Sequence, residues 1–295
     1  MQLGTILKMN FLGIYRKQDF SPNMQDKDAA ILQAVGVLAV EKGHSVDFLS
    51  EDDFLHKYSS VFDDDARFEY DIVFTMARGN RVMDILKYLE TNREVSVFNS
   101  AFGIHNCNRS ILTRIFVVNN IPTPKSWITE VSACPLLEKE LDFPCWIKRG
   151  DGCAQHQDDV AYAHSFDEVI AIVDGFKFRG INNIVINKHL EGDLVKFYGV
   201  EGTDFFDWGY ASEGHSKFGL EVHNSKTQGY PFDEYNLKKL ADTAARLLNV
   251  PIYGGDCIIS SSGEIMIIDF NDWPSFSRCR ENAAQAIFRR LINSI

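Results

Sequence analysis

Positive charge is the scarcer kind in this chain: 30 lysines and arginines stand against 41 aspartates and glutamates, a formal net charge of −11 over 295 residues. A field of that sign repels nucleic acid and anionic membrane, so neither is expected as a partner, although single basic residues can still hold a phosphate. No apolar run approaches the roughly eighteen residues of a membrane span, and residues 1–12 lack a basic region, a long apolar core and a small-residue cleavage site. A cytoplasmic protein is expected. The six cysteines, at 107, 134, 145, 153, 257 and 279, form no C-x-x-C pair and no zinc spacing, which points to reduced thiols. The first strand is not followed by G-x-G-x-x-G, so a nicotinamide cofactor is not indicated. There is no internal repeat and no low-complexity segment. What remains is a chain of 45% hydrophobic and 24% charged residues, long enough for two or three compact lobes.

The first hundred residues alternate apolar runs with amphipathic segments. Strands are predicted at 11–15, 45–49, 71–75 and 95–98, and helices at 24–42 (closed by Gly43), from Glu51, and at 81–91. This β-α-β-α order favours a parallel sheet with helices on both faces, a Rossmann-like lobe over 1–98. A helix is predicted at 106–119, after which Ile121, Pro122, Thr123 and Pro124 force an extended crossing. Shorter strands and helices fill a central lobe over 99–185. The third lobe, 186–295, shows mainly antiparallel strands, a helix at 233–249 with Leu237, Leu240, Ala241, Ala244 and Leu248 at helical spacing, and a terminal helix at 278–291.

The hairpin at 252–271 carries the most pointed signal. Its second strand, Ile265, Met266, Ile267, Ile268, Asp269, Phe270, Asn271, is oily on both faces, so Asp269 sits where an unpaired carboxylate would be costly. A connection of Ser260 to Gly263 would put Asp256 opposite Ile267 and diagonal to Asp269, with Asn271 further along the same face. Three oxygen ligands there suit magnesium, which prefers hard oxygens and needs only one or two carboxylates besides water and phosphate. The plainer alternative is a buried aspartate satisfied by backbone donors or an arginine.

Other motifs are looser. Pro144, Cys145, Trp146, Ile147, Lys148 delivers a lysine to a strand end beside Arg149, Gly150, Asp151, Gly152, which suits either a phosphate grip or a solvated lysine. The strand ending in Lys188, His189, Leu190, Glu191, Gly192, Asp193 and returning through Lys196 reads either as a nucleotide edge or as ordinary turn chemistry. Arg16 and Arg78 each follow a strand of the first lobe, at the edge where open α/β sheets bind ligands, and would suit an anionic substrate group; Asp19, Ser21 and Asn23 could add hydrogen bonds. Arg278 and Arg280 stand near the start of the last helix, whose amide end favours anions. His44, His56, His105 and His164 have no partner at metal spacing, and Asp63, Asp64, Asp65 read as a solvated loop.

In their order along the chain, several of these segments resemble the ATP-grasp superfamily, most closely the branch of ribosomal protein S6 glutamate ligase and glutathione synthetase. The carrying residues are Asn99 and Ser100 before the helix Asn106 to Asn119 with Ile121, Pro122, Thr123, Pro124 after it; Phe143, Pro144 and Lys148; Leu190, Glu191, Gly192, Asp193; and Gly255, Asp256 with Ile268, Asp269, Phe270, Asn271, Asp272 and Pro274. The resemblance spans nearly the whole chain and implies an α/β ATP-grasp fold of three lobes. It implies ATP as cofactor with two magnesium ions, manganese being the alternative, held by Asp256, Asp269 and Asn271.

The resemblance further implies that Lys148 and Arg109 contact phosphates and that Lys188, His189 and Leu190 form the adenine hinge. Glu191 meets ribose, with Asp193 as a second acceptor, and Lys196 reaches phosphate or substrate. His223, Asn224 and Lys226 sit where relatives place groups facing the reacting centre. The loop Gly150 to Gln157 departs from the family in having only two glycines, with Asp151 adding charge unfavourable to phosphate. Lys188 stands where an acidic residue is common, which leaves the adenine amino group to backbone carbonyls.

The implied activity is ATP-dependent carboxylate–amine ligation through an acylphosphate, on small acids and amines or a short peptide. An inositol phosphate kinase-like activity on the same fold and a nucleotide-binding module with little turnover are the alternatives. The superfamily's frequent dimers suggest a homodimer.

Overall fold

Buried apolar runs set the first sheet. Strands β1 (Asn10–Ile14), β2 (Ser45–Leu49), β3 (Ile72–Thr75) and β4 (Ser96–Phe98) pair in parallel in the order β2-β1-β3-β4. The computed structural model describes residues 8–20, 25–63, 67–213 and 226–293. Phe11, Leu12 and Ile14 of β1 and Ile72, Val73 and Phe74 of β3 are fully buried, as befits central strands covered on both faces. The crossovers are α1 (Gln25–Glu41), α2 (Glu51–Tyr58) and α3 (Asn80–Asn92).

Two antiparallel sheets follow. Strands β5 (Ser126–Glu130), β6 (Cys145–Arg149), β7 (Val160–Ala163) and β8 (Asn183–Lys188) lie in the order β5-β8-β6-β7, and α6 (Phe166–Phe178) covers one face. Cys145 and Ile147 of β6 join Val169, Val173 and Phe176 of α6 in that core. Strands β9 (Asp193–Val200), β10 (Phe206–Tyr210), β11 (Ile252–Ile259) and β12 (Ile265–Asp272) lie in the order β10-β9-β11-β12. One face of this third sheet packs on α5 (Arg109–Val118) and α7 (Glu234–Leu248) through Phe116, Phe197, Leu237, Leu248, Tyr253 and Phe270. The terminal helix α8 (Arg280–Ile292) returns to α1, so Ile287 and Leu291 share a core with Phe11, Ile31 and Val35. No helix among the described residues is long and apolar enough to cross a membrane.

Two expectations need correction. The helix predicted at 106–119 is α5 and starts later, at Arg109, because Asn106 closes a separate short helix, α4 (Ala101–Asn106), and Asn108 takes an extended conformation between the two. The break makes Arg109 the first residue of α5.

The hairpin register also differs. Strands β11 and β12 end and begin at Ile259 and Ile265, so the connection is 260–264, and a bulge then carries the pairing from Cys257↔Ile267 to Asp256↔Asp269. The bulge has a definite consequence. Ile265 and Ile267 face the core, and strict alternation would send Asp269 there too. The extra residue, Ile268, reverses the phase, turning Phe270 into the core and Asp269 and Asn271 onto the opposite face.

Candidate active site

Alternate residues of the third sheet build the floor of a cleft of about 380 Å³ between the second and third sheets, reached on one side by loops of the first. Leu194, Lys196 and Tyr198 of β9, Gly254, Asp256 and Ile258 of β11, and Asp269 and Asn271 of β12 face it, and Trp146 and Lys148 of β6 face it from above. Register orders these residues into rows about 7 Å apart, two residues of rise along a strand. The first row pairs Leu194 with Ile258, the second runs Lys196, Asp256, Asp269, and the third runs Tyr198, Gly254, Asn271. The cleft is therefore apolar at one end and charged in the middle. His189 and Leu190 extend the apolar end, where the Trp146 Nε1–H donates to His189 Nδ1 at 3.1 Å.

The middle row is a balance of charges at arm's length. Lys196 Nζ lies 3.3 Å from Asp256, Arg109 Nε lies 3.7 Å from Asp269, and the Asn271 amide donates weakly to Asp269 at 3.4 Å. Burial pushes the Asp269 carboxyl up, but Arg109, Lys148, Asn271 and the Phe270 N–H together hold it below the usual carboxylate range. Lys148 is buried, and its ammonium donates to the carbonyl of the bulge residue Ile268 at 2.9 Å. Burial lowers it to about 8, with Arg109 adding to the fall and Asp269 and Asp256 opposing it. Arg109 keeps Nε and Nη1 buried without a hydrogen-bond partner among the described residues. Buried donors left over in this way are satisfied by an anion.

Beyond the third row the cleft ends in two tight ion pairs. Arg16 bonds Asp28 at 3.2 Å and also the carbonyls of Met76 and Trp273, while Arg78 pairs closely with Asp272. All four line the cleft. Arg78 Nε and Asp272 Oδ2 remain without partners among the described residues.

The loop after β6 is held from outside the cleft. Asp159, fully buried, accepts the N–H groups of Gln155 and His156 and the guanidinium groups of Arg149 and Arg179. Burial pushes its carboxyl up, but those donors hold it below the usual range. Arg149 also bonds Asp151 at 2.8 Å, so the acidic residue expected to repel phosphate carries its own counter-charge.

Several expected residues stand elsewhere. Asp193 is buried away from the cleft and accepts the N–H groups of Gln228 and Tyr230, so it anchors a loop and is not free to meet a ribose. Glu191 and Lys226 are exposed and do not line the cleft. Lys188 and His189 do, but their N–H groups are bonded to Lys125 and Pro144 carbonyls, which leaves a base edge to their carbonyls and to Leu190. Arg278 pairs with Asp207 outside the cleft. Ser21, Asn23, His223 and Asn224 lie outside the described residues. Asp28 had no signal in the sequence; Trp146 and Asp272 stand in the motifs named above, but only the structure gives them places in the cleft wall.

Among the described residues, no group of three or more His, Cys, Asp or Glu side chains could hold a metal ion. The expected ligands are instead two carboxylates and an amide, and these converge: Asp256 and Asp269 are direct cross-strand partners, and Asn271 bonds Asp269. Such an oxygen set fits a magnesium ion that completes its shell with water and phosphate.

No protein-family model and no curated protein matches this chain. Solved structures do. A RimK domain protein ATP-grasp from Sphaerobacter thermophilus superposes with a TM-score of 0.66 at 13% identity, covering 96% of this chain and 99% of that one. A D-alanine–D-alanine ligase from Bacillus anthracis, complexed with ATP, gives 0.63 at 13% identity, covering 97% and 96%. The ATP-grasp ligase PsnB, complexed with a minimal precursor, gives 0.63 at 14% identity, covering 98% and 100%. Over nearly its whole length, then, this chain has the ATP-grasp fold.

Proposed function

We propose that this protein is an ATP- and magnesium-dependent carboxylate–amine ligase. The observation that carries the reading is the middle row of the cleft, where Asp256 and Asp269 meet across the strands with Lys196, Arg109 and Lys148 around them. The ligase names of the similar solved structures support the reaction class. ATP would lie with its base toward Leu194, Ile258 and Leu190 and its phosphates along the middle row.

Asp256, Asp269 and Asn271 would hold magnesium, which when bound supplies positive charge to the phosphate oxygens. Arg109, with two unpartnered N–H positions, and Lys148 would orient the terminal phosphoryl group. An oxygen of the substrate carboxylate attacks the terminal phosphorus, the bond to the ADP oxygen breaks, and an acylphosphate results. An amine nitrogen then attacks the acyl carbon, loses its proton, and inorganic phosphate departs. No side-chain nucleophile is required, and enclosure between sheets keeps water from the activated acid. The Arg78–Asp272 end, with one donor and one acceptor unpartnered, suits the polar group of the acid.

The test is incubation with ATP, magnesium and hydroxylamine against a panel of amino acids and small peptides. Hydroxamate formed together with ADP supports the ligase; a stable phosphoester would make the protein a kinase. If no compound raises ADP release above its basal rate, the protein is a nucleotide-binding module.

A further inference from the structure

Glu51 is the first residue of α2, 4% exposed, and not among the residues lining the cleft. Its carboxylate is spent on backbone. Oε1 accepts the N–H of Lys17 at 3.2 Å and of Arg78 at 3.0 Å, and Oε2 accepts the N–H of Gly79 at 2.9 Å. The three donors come from two loops, one leaving β1 and one leaving β3, which share no contact of sequence. Each loop carries one arginine of the cleft: the Lys17 amide follows Arg16 directly, and the Arg78 amide is that residue's own.

A buried carboxylate requires several donors, and a charged acceptor makes stronger bonds to N–H groups than a neutral one. Those same bonds fix where the two backbones stand. Asp28 and Asp272 orient the guanidinium groups at the far ends of the arginines, whereas Glu51 sets where both side chains begin. Oε2 of Glu51 also occupies the place a Cβ on Gly79 would take, so a side chain there would have to displace the carboxylate from its donors.

We propose that Glu51 is a positioning residue: it staples the Arg16 and Arg78 loops together and so determines how tightly the cleft holds the acidic substrate group. The effect on substrate rests on the ligase reading, whereas the effect on the arginines does not.

Phenylglyoxal labelling of arginines in the nucleotide-free full chain, read by peptide mass spectrometry, measures the staple without any substrate. Glu51→Ala and Gly79→Ala, which attacks the same contact from the other side, should each raise labelling of Arg16 and Arg78 about tenfold, the loss expected for charged hydrogen bonds, with Arg109 changed less than about twofold. Glu51→Gln, which retains one carbonyl acceptor, should fall between them and wild type; if Glu51→Ala does not fold, this variant and Gly79→Ala carry the test.

With whichever panel acid stimulates ADP release, the KM for that acid should rise about tenfold while kcat and the KM for ATP stay within about threefold. Unchanged labelling of Arg16 and Arg78, or an equal rise at Arg109, overturns the proposal, as does an unmoved KM for the acid. Raised labelling in a protein that no acid stimulates upholds the staple and removes the ligase reading instead.

Discussion

The two charged parts of the cleft are built to opposite standards. In the middle row the contacts are long, 3.3 Å for Lys196–Asp256 and 3.7 Å for Arg109–Asp269, and both aspartates keep about a quarter of their side chains exposed, although Arg109 is as buried as the arginines of the far end. At the far end, Arg16–Asp28 and Arg78–Asp272 have no side chain more than 10% exposed, and Arg16 makes two further bonds to backbone carbonyls. Loose, partly wet pairs contribute little to stability and exchange partners cheaply. Tight buried pairs are costly to break, because the surviving charge has no solvent to turn to. The middle row can trade its internal contacts for phosphate and metal, while the far end is fixed scaffold with a few atoms left over for a ligand.

The largest test of that difference is Asp269→Asn. Turnover should fall about 10³- to 10⁴-fold, since the variant weakens the expected metal site and the charge balance around Lys148 together. ADP release by the wild type should likewise stop on chelation of magnesium. Asp272→Ala should do the reverse of what its neighbour does: Arg78 is left buried without its carboxylate, and the protein should lose about 3–5 kcal/mol in urea unfolding. If Asp269→Asn destabilises as much as Asp272→Ala, the two regions are not different in kind.

How much of this the sequence disclosed depended on where each residue's partner lies. Asp256, Asp269 and Asn271 were legible because polar oxygen in an oily hairpin demands a reason, and the parallel first sheet was legible because apolar runs alternate there with amphipathic segments. The bulge at Ile268 was not, since nothing in Ile265, Met266, Ile267, Ile268 distinguishes a regular strand from one that slips phase. Asp193 was misread for a related reason: its Glu-Gly-Asp setting is turn chemistry, but its carboxylate answers to backbone donors at Gln228 and Tyr230, far along the chain. Glu51 and Asp159 were silent: Glu51 answers to backbone N–H groups of two distant loops, and Asp159 to those of its own loop and to the guanidinium groups of Arg149 and Arg179.

Lys148 joins the two standards, since it is buried like the far end but faces the middle row. Its ammonium is lowered to about 8 by burial, against 10.5 ordinarily, so between those values the unfolded chain binds the extra proton and stability rises with pH. Lys148→Met removes that dependence. The stability of the variant relative to wild type should therefore be greatest below about pH 8 and shrink by about 3 kcal/mol once pH passes the unfolded value. Urea unfolding at several pH values measures it, and parallel curves for the two proteins would mean that the lysine is solvated.

The smallest expected effect on stability is the sharpest check on the middle row. Lys196 and Asp256 are cross-strand partners in the centre of a sheet, a placement that on its own would suggest a structural pair. Their 3.3 Å separation and their side-chain exposures of 24% and 26% argue otherwise, because water already screens both charges. Lys196→Gln should then cost less than about 1 kcal/mol in unfolding free energy, while ATP-dependent turnover falls about tenfold or more through loss of a cation beside the phosphates. A loss of stability near the roughly 3–5 kcal/mol expected of Asp272→Ala would show that this pair holds the sheet together, and the phosphates would have to find their charge at Arg109 and Lys148 alone.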